Sequence, residues 1–282
     1  MNKIIGLICA FAAEDWIELA IEQALEYTDD VILNIGAYTK AVAQNEDRTL
    51  EKAMKYKKYV TFVDATVSGK HWTSKAPTLN AMMHSSKYFD VDNWVWMFDV
   101  DEYYLKKEVD NMKANIFNSD YNCVQHNEKY FFINMRKYLT NVRKRMYKIS
   151  DLDNKFRPTN KWTGPKSNIY YAEGNGMFHY SMLCNMYAKL DLWKTERWSE
   201  PRENHPLVDW CNKIYFNFDL DDEEYWIEEN AKLYGVKTPY WIGDMEADEN
   251  GHLYDFNGSH PHGIEAADLP KIEDFRKLYE KN

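Results

Sequence analysis

The chain has 282 residues, which is enough to bury a substantial core in one large α/β domain. Its 45 acidic and 35 basic residues give a formal net charge of −10, which argues against broad, nonspecific attraction to nucleic acid or anionic membranes. No apolar stretch approaches the ~20 residues that span a bilayer, and the four cysteines form no Cys-x-x-Cys pair, so we expect a soluble, cytoplasmic protein with reduced thiols.

The first hundred residues alternate between strand-like and helix-like patterns. Strand-like apolar runs occupy residues 4–9, 31–35, 60–63 and 94–98. Helix-like segments occupy residues 14–27, 48–59 and 77–88. The N-terminal run also resembles a short signal peptide, but the helix that follows at once favours a first β-strand. This βαβαβαβ order predicts a parallel sheet with right-handed crossovers.

The pattern changes in the second part of the chain. The predicted elements there are a helix at 106–117, strands at 122–133 and 138–149, a strand-like segment at 169–183 and an acidic helix at 221–234. The two long strands suit antiparallel pairing, and Gly174-Asn175-Gly176 is a hairpin-type turn signal. The simplest organisation is one compact domain with two halves, residues 1–105 and 106–282.

An acidic segment follows the fourth predicted strand. Five apolar residues, two of them Trp, run directly into Asp99, Asp101 and Glu102. An apolar run of this kind is typical of a strand that is buried on both faces. Since side chains alternate along a strand, Asp99 and Asp101 would point the same way at its carboxyl end, where open α/β sheets bind ligands. Two carboxylates there suit a hard divalent cation that also binds substrate phosphate oxygens, although acidic residues commonly end strands as turn formers.

Other motifs are missing or weak. No Gly-rich phosphate-binding loop follows the first strand, where the sequence is Ala10-Phe11-Ala12-Ala13. The Gly-x-Ser-x-Gly motif is absent, which weakens an α/β-hydrolase interpretation. His252, His260 and His262 cluster near the C-terminus and could bind zinc, but their spacing is not diagnostic, and packed loop histidines are the favoured interpretation.

Four segments together resemble a known enzyme family. Asn93-Trp94-Val95-Trp96-Met97-Phe98-Asp99-Val100-Asp101-Glu102-Tyr103, preceded by Asn80, resembles the Asp-x-Asp segment of GT-A-fold, family-2-like glycosyltransferases. Arg145-Met146-Tyr147-Lys148, Phe178-His179-Tyr180-Ser181 and Gly258-Ser259-His260-Pro261 resemble later motifs of that family in the same order. The resemblance implies an α/β GT-A (Rossmann-like) fold, with a mainly parallel sheet flanked by helices and a mixed or antiparallel second half.

The resemblance also implies a reaction and a donor site. A metal-dependent glycosyltransferase would move a sugar from a nucleoside-diphosphate sugar to an acceptor hydroxyl. Mn²⁺ or Mg²⁺ would be held by Asp99, Asp101 and His179. The donor would lie against Ala10, Asn34, Asp64, Lys75, Asn80, Asp99, Arg145 and Lys166. Residues 1–105 would then form the nucleotide-sugar-binding half and residues 106–282 the acceptor-binding half.

Several roles stay open. An inverting enzyme needs a carboxylate to deprotonate the acceptor, and Glu128, Glu173 and Asp209 are the candidates; a retaining mechanism is the alternative. Lys75, Arg145 and Lys166 are candidate diphosphate contacts, and a simple surface role is the alternative for each. The basic residues between 136 and 148 fit either a solvated face or a phosphate-binding role.

Two other classes of protein are compatible with parts of the sequence. A non-catalytic carbohydrate-binding protein could stack sugar rings on Trp193, Trp198, Trp210, Tyr240 and Trp241, although core packing is favoured for each of them. A sugar-phosphate nucleotidyltransferase is disfavoured because the expected Gly-rich N-terminal loop is missing. The acceptor is open among glycan, lipid, protein and nucleic acid, and the acidity of the chain disfavours the last.

Overall fold

The computed structural model describes residues 2–36, 47–63, 75–152, 156, 168–184, 186–187, 189–190, 206–219, 221–235, 246–261 and 263–264. The predicted donor contacts Asp64 and Lys166 lie outside these residues, as do Trp193, Trp198, Tyr240 and Trp241. The side chains of Lys75 and Glu173 are also outside the description. Among the helices that are described, none is long and apolar enough to cross a membrane.

Four parallel strands form the first half of the sheet. They are β1 (Ile4–Ala10), β2 (Asp30–Ile35), β3 (Thr61–Phe62) and β4 (Trp94–Phe98), in the order β3-β2-β1-β4. The connecting helices are α1 (Ile17–Tyr27), α2 (Thr49–Ala53), which continues as a 3₁₀ turn (Met54–Tyr56), and α3 (Lys75–Ser85). All five residues of β4 are buried, because apolar clusters cover both faces of the sheet. The predicted parallel βα organisation is therefore confirmed.

The second half of the sheet is mixed. Its elements are β5 (Glu102–Tyr104), α4 (Lys106–Ile116), β6 (Cys123–Phe131), β7 (Lys137–Lys148), β8 (Ile169–His179), α5 (Pro206–Trp210), α6 (Glu223–Tyr234) and β9 (Tyr254–Asp255). The order continues from β4 as β7-β6-β8-β5, with β9 beside β7. Only β6 and β8 pair in parallel here; the other pairs, including the predicted β6–β7 pair, are antiparallel. The predicted fold class is confirmed as an α/β fold with a parallel first half flanked by helices and a mixed second half, and its GT-A (Rossmann-like) assignment stays a prediction.

The sheet curls strongly around the end of β4. Strand β5 begins four residues after β4 ends, yet three strands lie between β4 and β5 in the sheet. Three intervening strands make four distances between neighbouring strands, so in a flat sheet β4 and β5 would lie about 19 Å apart. The chain from Phe98 to Glu102 spans at most about 14 Å. The sheet must therefore bend back on itself, which brings side chains of β5, β6, β7 and β8 towards the turn after β4.

The hairpin turn predicted at Gly174-Asn175-Gly176 is wrong. These residues lie inside the continuous strand β8, and the segments on both sides of them pair with the same strand β6. Residues 173–176 lie opposite the single residue Asn127, so the extra residues form a bulge and not a chain reversal. A Cβ on Gly176 would lie 3.2 Å from the carbonyl oxygen of Asn127, which explains a glycine at this close approach.

Candidate active site

The strand order reverses between β1 and β4, since the chain runs from β1 outwards to β2 and β3 and then returns to β4. In open α/β sheets, ligands bind at the carboxyl ends of the strands beside such a reversal. A small cleft lies there, with room for about one water molecule, and it is lined by Leu7, Cys9, Leu79, Met97, Phe98, Asp99 and Arg145. Asp99 and Arg145 are its charged residues. The position of this cleft marks the end of β4 as a candidate active site.

The turn after β4 carries the two aspartates of the Asp-x-Asp motif. Strand β4 ends at Phe98, and the backbone N–H of Glu102 donates to the carbonyl of Asp99 at 3.1 Å, which closes a turn. The two aspartates therefore lie in a turn and not on the strand, so strand alternation does not set the directions of their side chains. Asp99 Oδ2 accepts a hydrogen bond from Arg145 at 2.8 Å, whereas Asp101 Oδ1 lies 3.5 Å from His179 Nε2. Their side chains are 27% and 19% exposed, so solvent reaches both carboxylates.

His179 lies at the end of β8 between two carboxylates. Its Nδ1 is hydrogen-bonded to Glu128 Oε1, and its Nε2 faces Asp101. Burial opposes protonation of this imidazole, but Asp101 and Glu128 outweigh burial and raise the pKa of His179 to about 10. Burial also opposes ionisation of the two carboxylates, but His179 outweighs it and lowers the pKa of Asp101 and of Glu128 to about 2. The three groups form one strongly coupled cluster.

Two arginines from β7 point towards this cluster. Arg143 and Arg145 are two residues apart on the strand, and both side chains reach acidic groups of the site, although the pairing of β7 with β6 shifts register at Arg145. Arg143 Nε donates to Glu128 Oε2 at 2.9 Å, and Arg145 binds both Asp99 and Glu102. Burial raises the pKa of Glu102, and Arg145 opposes that rise. These two members of the basic stretch thus pair with acidic groups of the site.

The residues present fit a divalent cation. Two ligand sets are available around His179: its Nε2 with Asp101, at 3.5 Å, and the buried group of Glu102, Glu128 and His179, whose ligand atoms lie within 4.8 Å of one another. Glu102 Oε2 is buried and has no hydrogen-bond partner among the described residues. Glu128 accepts a hydrogen bond from Nδ1, so in a neutral His179 the unprotonated nitrogen would be Nε2, which faces Asp101. Many carboxylate–histidine–metal sites have this arrangement. Carboxylate oxygens with one imidazole suit Mn²⁺ or Mg²⁺.

The charges of the cluster bear on how a cation would bind. Metal ligation requires a neutral His179. The remaining charged groups of the cluster are four carboxylates, which face the guanidinium groups of Arg143 and Arg145 and the ammonium group of Lys189. Lys189 hydrogen-bonds to the carbonyl and the hydroxyl of Ser181 and acts electrostatically on Asp101. With His179 protonated, as its raised pKa indicates, the formal charges of the cluster balance, and a bound divalent cation would take the place of that proton.

The asparagines predicted as donor contacts have structural partners. The side chain of Asn80 donates to the carbonyl of Phe156 at 2.9 Å and accepts from its backbone N–H at 2.6 Å. The buried side chain of Asn34 donates to the carbonyl of Val63 at 2.8 Å, which ties β2 to the end of β3. Both amides hold backbone segments in place, and their role in donor binding stays a prediction. Ala10 is the last residue of β1 and is buried.

Asp209 lies on α5, in a different part of the fold. Its carboxylate accepts hydrogen bonds from Lys213 at 2.9 Å and from the hydroxyl of Tyr234 at 2.9 Å. The hydrogen bond from Lys213 lowers the pKa of Asp209, so this carboxylate is ionised at neutral pH. Its role as a base stays a prediction. Trp210, next to it, is fully buried and packs against Trp226 and Phe132, so it belongs to the core and not to an exposed groove.

The sequence analysis did not predict three residues of the cluster as individual site residues: Glu102, Arg143 and Lys189. Glu102 belongs to the acidic segment, but its burial follows from the curl of the sheet and not from any local pattern. For Arg143 the available signal was its two-residue spacing from Arg145 on a predicted strand, which indicates that both side chains lie on one face of the sheet. Lys189 reaches the site through Ser181, a contact between segments that the sequence does not indicate.

The interior of the curled sheet contains an uncharged histidine, which gives a first prediction. Burial, aided by Arg145, lowers the pKa of His126 to about 3, and its ring stacks on Trp96 at 6.1 Å. An unfolded chain binds this proton at about pH 6.5. The neutral His126 therefore makes its full contribution to the free energy of unfolding above about pH 6.5. That contribution falls by up to about 1.4 kcal/mol per pH unit as the pH falls towards 3.

We expect His126→Phe to flatten this dependence between pH 6 and 4. The measurement is the free energy of unfolding from urea titrations followed by circular dichroism, at several pH values. His84→Gln, which changes an exposed histidine of α3, is the matched control and should keep the wild-type slope. Equal slopes in wild type and His126→Phe would contradict the prediction.

Taken together, the fold and the site define an α/β protein with a candidate divalent-cation site at the carboxyl edge of its parallel strands. No protein-family model matches the chain, and no curated protein matches its sequence. Among solved structures, the chain is similar to S. aureus TarS 1-349, with 13% identity and a TM-score of 0.42 over 80% of this chain and 78% of that chain.

Two further solved structures are similar over part of their length. A longer S. aureus TarS structure matches at 12% identity and a TM-score of 0.43, over 82% of this chain and 48% of that chain. A 4-diphosphocytidyl-2C-methyl-D-erythritol synthase matches at 9% identity and a TM-score of 0.32, over 65% of this chain and 76% of that chain. Because all three TM-scores are below 0.5, these likenesses carry no argument about function, which we argue from the residues of the site.

Proposed function

We propose that this protein is a metal-dependent glycosyltransferase that moves a sugar from a nucleoside-diphosphate sugar to an acceptor hydroxyl. The observation that carries the proposal is the contact between Asp101 and His179 at the end of a buried parallel strand, beside a cleft that contains Asp99 and Arg145. The resemblance of the same residues to the Asp-x-Asp and His-Tyr motifs of GT-A glycosyltransferases supports it. A carbohydrate-binding module has no need for this buried charged cluster.

The residues of the site would share the work as follows. Asp101 and His179 would hold Mn²⁺ or Mg²⁺, with Asp99 beside them in the same turn. When bound there, a divalent cation would neutralise the charge that develops on the leaving nucleoside diphosphate. Arg145 binds Asp99 and Glu102 and therefore fixes the turn at the mouth of the cleft. The half of the chain up to residue 105 would bind the donor, and residues 106–282 would bind the acceptor.

Glu128 fits a positioning role better than that of a general base. Both of its carboxylate oxygens are engaged, one by His179 and the other by Arg143, and the side chain is fully buried. A base must reach the acceptor hydroxyl. We therefore assign to Glu128 the orientation of His179, through its hydrogen bond to Nδ1. Asp209 and Glu173 stay candidates for the base.

Glu128→Gln separates these two roles. If Glu128 orients His179, the variant should bind Mn²⁺ about 10–100-fold more weakly, since outer carboxylates contribute that much to metal affinity. If Glu128 is the base, kcat should fall while the Kd for Mn²⁺ stays at the wild-type value. The Kd is measured by isothermal titration calorimetry, and circular dichroism checks that the variant is folded.

The test of the proposed function is a thermal-shift screen of nucleotide sugars with and without Mn²⁺. A donor at 100 times its Kd stabilises the folded state by about 2.7 kcal/mol. We expect a rise in Tm that needs both the cation and a nucleoside-diphosphate sugar. Stabilisation by free glycans, independent of nucleotide and cation, would favour the carbohydrate-binding alternative and contradict the proposal.

A further inference from the structure

Tyr180 connects the two proposed metal ligands, Asp101 and His179, through its backbone. It follows His179 in the chain, and its backbone N–H donates to the carbonyl of Asp101 at 2.8 Å. One residue therefore joins the end of β8 to the turn that carries the aspartates. Tyr180 is fully buried, and its ring stacks on Trp16 at 5.6 Å and on Phe131 at 5.0 Å. The position of its ring and backbone bears directly on the distance between Asp101 and His179.

The hydroxyl of Tyr180 is hydrogen-bonded to His260, which lies eighty residues further along the chain. Its Nδ1 lies 2.7 Å from the Tyr180 hydroxyl, and its Nε2 lies 3.0 Å from the carbonyl oxygen of Met135. A carbonyl only accepts hydrogen bonds, so Nε2 carries a proton; in the neutral ring Nδ1 then accepts from the tyrosine. Both ring nitrogens are thus engaged in the protein, which argues against His260 as a metal ligand.

The segment around His260 is anchored beside the same aromatic cluster. The backbone N–H of Phe256 donates to the carbonyl of Arg136 at 2.7 Å, and the rings of Phe256 and His260 lie 4.8 Å apart. A Cβ on Gly258 would come within 2.9 Å of the Phe256 ring, so the chain needs glycine to turn closely here. His260 is therefore held in a defined place, from which it fixes the buried hydroxyl of Tyr180.

We propose that His260 is a positioning residue that acts through Tyr180 to keep Asp101 and His179 at the separation that a divalent cation needs. The proposal rests on the proposed metal site. Loss of the histidine leaves the buried Tyr180 hydroxyl without this acceptor. The tyrosine can then shift, and its backbone contact with Asp101 shifts with it. The result is weaker metal binding with an intact fold.

The test measures the Kd for Mn²⁺ by calorimetry in the full chain, for His260→Phe, Tyr180→Phe and the double variant. We expect each single variant to bind at least about tenfold more weakly, as found when outer contacts of metal ligands are removed. The double variant should bind no more weakly than the singles, because both substitutions break the same hydrogen bond. His260→Asn, whose side-chain oxygen can replace Nδ1 as the acceptor, should retain most of the affinity.

His252→Phe is the matched control. This histidine also lies near the end of the chain but contacts Glu224 and Asp248 at the surface, so its variant should keep the wild-type Kd. A wild-type Kd in His260→Phe, even with a lowered Tm, would show a purely structural residue and overturn the inference, as would additive losses in the double variant. A wild-type chain that binds no Mn²⁺ would overturn the proposed function as well. Should His260→Phe fail to fold, Tyr180→Phe and His260→Asn decide the question on the same terms.

Discussion

Asp101→Asn is expected to abolish divalent-dependent sugar transfer, with kcat/KM reduced by roughly 10²–10³-fold or more, the cost of removing one group that stabilises developing charge. Asparagine keeps the shape of the side chain and removes its charge, so the turn after β4 should stay in place. The measurement is the rate of nucleoside diphosphate release from a nucleotide sugar in the presence of Mn²⁺. Circular dichroism verifies the fold.

Asp92→Asn is the matched control for this experiment. Asp92 precedes β4 as Asp101 follows it, but its side chain is 73% exposed and pairs with Lys148 at the surface. Its variant should keep the wild-type rate, because a surface pair of this kind contributes little. Full activity in Asp101→Asn would remove the carboxylate from the reaction and contradict the assignment.

Arg145→Met should destabilise the protein by about 3–5 kcal/mol, the usual cost of removing one partner of a buried ion pair. Arg145 is the guanidinium that binds both Asp99 and the fully buried Glu102. Without it, Glu102 must either stay charged in the interior or take up a proton, and both states cost free energy. Urea denaturation followed by circular dichroism gives the free energy of unfolding.

A double variant tests whether Glu102 causes this loss. Glu102→Gln removes the buried charge, so Glu102→Gln with Arg145→Met should recover a large part of the stability lost in the single Arg145→Met variant. Two results would contradict this prediction: stability losses of the two single variants that add in the double variant, or a loss below about 1 kcal/mol in Arg145→Met. Either would show that the buried Arg145–Glu102 ion pair contributes less to stability than its burial predicts.

The parallel half of the fold was accessible from the sequence because its signals are local. The apolar run from Trp94 to Phe98 is buried on both faces and forms a strand with those bounds. The second half depends on contacts between distant segments. Strand β5 has three residues and no periodic pattern, and it becomes a strand only because β8 pairs with it. The bulge at residues 173–176 likewise results from the pairing of β8 with β6.

The site was predictable in its residue types and not in its contacts. The Asp-x-Asp segment and His179 were identified from motifs, and the structure brings Asp101 and His179 into contact. Nothing local indicates that Glu128 bonds to His179, because the register of β6 against β8 depends on the bulge. Nor does the sequence reveal that both ends of the Asn80 amide are used by the backbone of Phe156.

The proposed function requires Asp101 and His179 to bind one divalent cation at the end of β4. Crystals grown with Mn²⁺ and a nucleoside diphosphate, measured for anomalous scattering, test it most directly. We expect a strong anomalous peak within coordination distance of Asp101 Oδ1 and His179 Nε2. A peak held by Glu102 and Glu128 without Asp101, or nucleoside diphosphate bound at the end of β4 with no peak at this turn, would contradict it.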